Sequence, residues 1–164
     1  MKKCTIPALV CLLAAVTTLI LGCGILPDST TTPPTPETPA PTLVPQSHNL
    51  INATIVMSPD GYFDIEFSVD TETMQNARVV GSFATSHNAG GDIEVMIMDD
   101  IAYTDWLDGH QINVNYTSGN KTTADIDLSI TTSGKYHLVF SNNDPELSSK
   151  HVLAIAELNW DELK

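Results

Sequence analysis

Tyr62-Phe63-Asp64-Ile65-Glu66-Phe67-Ser68-Val69-Asp70 alternates without a break. Phe63, Ile65, Phe67 and Val69 fall on one side of the chain; Asp64, Glu66, Ser68 and Asp70 fall on the other. Side chains of an extended backbone change direction at every residue, so this is a half-buried strand of an antiparallel sheet. Ser58-Pro59-Asp60-Gly61 precedes it, with Pro at the second turn position and Gly at the fourth. That order predicts a hairpin between residues 50–57 and 62–70.

The same alternation continues outward. Val79, Gly81 and Phe83 share one face of a strand over 78–85, and Ala89-Gly90-Gly91 turns the chain. Ile93, Val95 and Ile97 point inward over 92–99, and Ile112, Val114 and Tyr116 over 111–116, before a turn at Ser118-Gly119-Asn120. Ile126, Leu128 and Ile130 mark a strand over 122–131, and Tyr136, Leu138 and Phe140 one over 135–141, with Ser133-Gly134 between them. Val152-Leu153-Ala154-Ile155-Ala156 is apolar on both faces, the mark of a central strand in 150–160. Only Ile101–Leu107 leaves room for a helical turn. About eight short strands with Gly-containing turns predict an all-β protein: one antiparallel sandwich of jelly-roll type over residues 48–164.

The remainder of the chain reads as address and tether. Lys2 and Lys3 precede an apolar run, Ile6–Leu21, interrupted only by Pro7, Thr17 and Thr18. This is the layout of a secretory signal peptide. The run ends Leu19-Ile20-Leu21-Gly22-Cys23, which resembles the bacterial lipobox, with Ile20 where that pattern prefers Leu. The resemblance implies diacylglyceryl transfer to the Cys23 thiol and cleavage after Gly22. Residues 1–22 would then be removed, and Cys23 would become a lipidated, palmitate-type N-terminus. An uncleaved membrane helix over Ile6–Leu26 is the alternative, its 21 residues sufficing for a ~30 Å core. Both readings put the domain on the extracytoplasmic face of the cell membrane.

Cys4 and Cys11 lie in the removed part, so the mature chain keeps no free thiol for disulfide, metal or nucleophile. Residues 24–47 hold seven of the ten prolines, alternating with threonine. This composition predicts a disordered polyproline-II spacer of at most about 75 Å. A Pro-rich docking ligand is the sharper reading of the same stretch, but no basic residue flanks the prolines to orient a partner.

The chain of 164 residues carries 7 Lys and Arg against 20 Asp and Glu, a net charge of −13. Such a surface is repelled by phosphate backbones and anionic headgroups, which excludes nucleic acid and leaves membrane contact to the lipid anchor. At 42% apolar residues there is ample material for a core.

Gly61-Tyr62-Phe63-Asp64-Ile65, Gly81-Ser82-Phe83, Asp92-Ile93-Glu94-Val95 and residues 133–143 (SGKYHLVFSNN) occur in that order, followed by Ser149-Lys150-His151-Val152. This series resembles the GOLD-type β-sandwich of the emp24/p24 proteins over about residues 60–160. The 134–140 strand is also similar to pre-peptidase C-terminal domains of secreted enzymes. The resemblance implies a protein-binding or adhesive module rather than a catalyst. It does not extend to cargo transport, since the disulfide and C-terminal membrane helix of the eukaryotic proteins have no counterpart in this sequence.

Candidate sites are few. Asp99, Asp100, Asp105 and Asp108 cluster around Trp106, and carboxylates in a loop suit Ca²⁺, although the spacing is not that of an EF-hand. Asn142-Asn143-Asp144 is a second oxygen-rich loop. Tyr103, Trp106 and Tyr116 are candidates for a sugar-stacking platform; the plainer expectation is that Trp106 plugs one end of the sandwich and Trp160 closes the last strand. His137 and His151 would meet if their strands paired, which is the one histidine arrangement that suggests zinc. No Gly-x-Ser-x-Gly elbow, P-loop or dinucleotide fingerprint occurs, and no nucleophile–base pair can be assembled, so a hydrolase is not expected. The reading is therefore a surface lipoprotein displaying a non-catalytic sandwich to a protein or envelope component. The alternative is a Ca²⁺-assisted carbohydrate-binding module.

Overall fold

The computed structural model describes residues 41–86, 91–143 and 149–164. The signal segment, Cys23 and nearly all of the spacer lie outside the described residues, as do Ala89-Gly90 and Asp144. Among the described residues, eight strands build two four-stranded sheets. In chain order they are β1 (Leu43–Met57), β2 (Tyr62–Val69), β3 (Met74–Thr85), β4 (Ile93–Asp99), β5 (Tyr116–Lys121), β6 (Thr123–Ser129), β7 (Gly134–Ser141) and β8 (Lys150–Leu163). One helix, α1 (Asp100–Leu107), links β4 to β5. The first sheet runs β1-β8-β3-β6 and the second β2-β7-β4-β5, with every neighbouring pair antiparallel. The protein is thus an all-β antiparallel sandwich, and its interleaved strand order is that of a jelly roll.

The inward sides of the alternating strands meet between the sheets. Val79, Phe83, Ile126, Val152, Ala154, Ala156 and Leu158 of the first sheet face Phe67, Ile93, Val95, Ile97, Leu138 and Phe140 of the second, all within one buried cluster. Phe67 stacks on Tyr136 at 5.8 Å, and the Tyr136 hydroxyl donates to the Thr132 carbonyl at 2.9 Å. Phe140 is fully buried at the middle of this layer. Phe140→Ala should lower the unfolding free energy by about 3–5 kcal/mol, the usual cost of emptying a buried phenylalanine site. Urea unfolding of the two proteins measures the difference.

Three local expectations are corrected. The 58–61 turn forms, with Gly61 N–H donating to the Ser58 carbonyl at 3.0 Å and Asp60 at φ 52°. It does not close a hairpin, because β1 pairs with β8 and β2 with β7. The turn carries the chain from one sheet to the other, so that the apolar sides of β1 and β2 face each other across the core. Residues 111–114 are not a strand. Their alternation is genuine, but Ile112 and Val114 pack on the outside of the second sheet, against Met96, Met98 and Val139. Ser118-Gly119-Asn120 belongs to β5, where Gly119 takes a positive φ of 57° beside a break in register between Glu94 and Met96.

The first strand starts at Leu43 rather than Leu50, and Pro45 stands opposite Asp161 within it. Proline is tolerated there because β1 is an edge strand. Thr42 and Lys164 exchange both backbone hydrogen bonds at 2.9 Å and close the end of the β1–β8 ladder. As its two apolar faces suggested, β8 is central, between β1 and β3. Its outward Leu153 and Ile155 nevertheless remain 51% and 41% exposed.

Candidate functional site

Helix α1 lies on the outer face of the second sheet, and local sequence explains where it starts and stops. Asp99 caps it, accepting from Ala102 N–H at 2.8 Å. Gly109, at φ 76°, lets the chain leave, its N–H donating to the Trp106 carbonyl at 3.0 Å. Beneath the helix the sheet presents Met96 and Met98 of β4 and Val139 of β7, buried under Ala102, Tyr103 and Trp106.

His137 of β7 is held at the centre of this face, 4% exposed. Tyr103 stacks on its ring, centroids 3.8 Å apart and planes within 9°. One imidazole nitrogen faces Asp64 of β2 at 3.4 Å and the other faces Asp100 of α1 at 3.2 Å. Lys135, two residues before His137 on β7, reaches Glu66 at 3.2 Å and Asp100 at 3.8 Å. The Glu66 hydrogen bond, then the Glu66 and Asp100 charges, hold the Lys135 ammonium above its ordinary range. Together these contacts clamp α1 to β2 and β7.

Around the clamp is a shelf of rings. Trp106 lies 6.1 Å from Tyr103, and Tyr62 of β2 meets Trp106 edge-on at 5.2 Å. Tyr62 is 47% exposed, with Leu107 and Ile101 exposed on the helix beside it. Burial, then a hydrogen bond with Tyr62, then the Asp64 charge push the Tyr103 hydroxyl well above the usual tyrosine range. Tyr116 and Tyr136 are raised too, chiefly by burial. An unfolded tyrosine ionises near ~10, so these groups favour the fold fully below that pH, and their contribution is lost as pH rises beyond it. The urea midpoint should therefore fall above about pH 10, and Tyr103→Phe, which keeps the stack on His137, should soften the fall.

The acidic cluster does not converge. Asp99 is the helix cap and Asp100 serves His137 and Lys135. Asp105 lies 3.5 Å from His110, and Asp108 is the C-cap. Among the described residues no three His, Cys, Asp or Glu side chains are grouped to hold a metal ion. Asn142 ties down the 58–61 turn, donating from its backbone to Gly61 and from its side chain to Ser58, each at 2.9 Å.

Tyr103 and Trp106 lie together, but Tyr116 does not join them. It packs on the main core, and its hydroxyl donates to the Asp125 carbonyl at 2.7 Å. Trp106 covers a sheet face rather than plugging an end, whereas Trp160 packs on the core near the end of β8. His137 and His151 do not meet, because β7 and β8 belong to different sheets. The ring missed from sequence is Tyr62, and its signal was its outward register beside Asp64 and Glu66.

No protein-family model and no curated protein matches the sequence. Among solved structures, a chain of Desmodium yellow mottle tymovirus is similar in fold at a TM-score of 0.37 and 13% identity, covering 82% of this chain and 97% of its own. A likeness at that level carries no argument about function.

Proposed function

We propose that the protein is an extracytoplasmic lipoprotein, held at the membrane through Cys23, whose sandwich binds a protein or envelope component without catalysing a reaction. The lipobox-like run and the Pro/Thr spacer support the anchoring, and the GOLD-type resemblance supports the binding role. The observation that carries the binding reading is the partly exposed ring shelf of Tyr62 and Trp106 beside α1 on the second sheet. Amphipathic rings of this kind, partly exposed on a rigid face, are the side chains that anchor protein interfaces. His137 fixes the shelf by joining the helix to two strands.

Tyr103 and Trp106 lie side by side, which favours a second reading, carbohydrate binding, in which rings stack on sugars and the Asp64 and Asp105 carboxylates accept from hydroxyls. Calcium-assisted binding would fall to the second carboxylate oxygens of Asp99 and Asp100, since the first serve the helix cap and the clamp. Trp106 and Trp160 are the two tryptophans, so in a Trp160→Phe background the fluorescence of the full-length protein reports the shelf alone. Titration with the fractionated protein pool of the envelope should give a saturable change that Tyr62→Ala abolishes. A change with the glycan pool alone would select the carbohydrate reading, and no change with either pool would contradict both.

A further inference from the structure

Each sheet of the sandwich has two edge strands, which leave a row of backbone donors and acceptors open to another chain. The four edges are β1 and β6 in the first sheet, β2 and β5 in the second. Two of them carry acidic side chains: Asp64 and Glu66 on β2, Asp125 and Asp127 on β6. Charge is a common device for keeping edges from pairing. The other two have no acidic residue and almost no charge. All fifteen residues of β1 are without Asp, Glu, Lys or Arg, and β5 has only Lys121 at its last position.

The sequence contains ten asparagines, three of which open an Asn-x-Ser/Thr acceptor with x other than proline. They are Asn52-Ala53-Thr54, Asn115-Tyr116-Thr117 and Asn120-Lys121-Thr122. The first is on β1 and the others bracket β5, so all three fall on the two edges that lack acidic residues. Asn52, Asn115, Asn120 and their three threonines are all exposed. Asn52 and Thr54 sit two residues apart on an extended strand, so amide and hydroxyl project from the same face. Opposite them stand the exposed Ile155 and Leu153, with Val56, 65% exposed, next on β1. A polar chain attached at Asn52 would stand beside this apolar row and shield it.

We propose that Asn52 on β1, and Asn115 just before β5 or Asn120 within it, carry N-linked glycans that protect the two edges lacking acidic residues. The inference rests on the export reading, because the donor is used outside the cytoplasm. In the step, the asparagine Nδ2 displaces phosphate from the anomeric carbon of a lipid-linked, phosphate-activated sugar. The C–N bond forms, the C–O bond to phosphate breaks, and one amide proton leaves.

The test is peptide mass analysis of the full-length protein extracted from membranes of its own host. Sugar mass is expected on the Asn52 peptide and on a β5 peptide. Thr54→Ala should remove it from Asn52, and Thr54→Ser should keep it. Unmodified mass at Asn52, or at both β5 asparagines, overturns the proposal. The N-terminal peptide of the same digest separates the two ideas: lipid with bare asparagines defeats the glycans and leaves the anchor standing, whereas glycans without lipid do the reverse.

Discussion

Gly81→Val should leave no folded sandwich, and Gly81→Ala should cost about 3 kcal/mol or more. Gly81 faces inward on β3, opposite Ala156 of β8 and Ile126 of β6. A Cβ there would stand 2.1 Å from the Ile155 carbonyl oxygen and 2.7 Å from the Ala156 Cα. Both are backbone atoms of the central strand, so no side-chain rotation relieves the clash; β3 and β8 must separate. Their ladder runs almost the length of both strands, and the domain has only about 5–15 kcal/mol to lose. Valine adds two further methyl groups at the same point. Circular dichroism and urea unfolding check both variants. An unchanged urea midpoint for Gly81→Ala would mean that β3 and β8 do not pair in this register.

Cys23→Ala should abolish lipidation and processing together. If the anchor is acyl chains on Cys23, each buried CH₂ contributes ~0.8 kcal/mol, and two or more chains hold a protein firmly. Residues 23–164 carry five basic residues against twenty acidic ones, and among the described residues no helix is long and apolar enough to cross a membrane. The variant should run on a denaturing gel as the unprocessed precursor, with the mature band absent. A variant processed and retained at the membrane as the wild type is would remove the thiol from the account.

Strand positions were legible because one face of each strand is wet and the other dry, as in 62–70. Strand partners were not, because alternation is a local property while sheet assignment depends on which apolar faces meet across the core. Hence the turn at Ser58–Gly61 was found and its hairpin was not. The clamp was half legible. Met96, Met98 and Val139 make β4 and β7 apolar on both faces, the signal that something covers the outer side. That signal was read only in β8, where Leu153 and Ile155 remain exposed. The burial of His137 is not legible, because the helix that covers it is short and has no apolar periodicity of its own. Its neighbours Asp64 and Asp100 come from β2 and α1, and no spacing rule connects them.

The most direct measurement is the mass of the N-terminal fragment of the protein extracted from its host's membrane. The account predicts a fragment that begins at Cys23, lacks residues 1–22, and carries the added mass of a diacylglyceryl group with or without a further acyl chain. A fragment that begins at Met1, or one that begins elsewhere with an unmodified terminus, would contradict it.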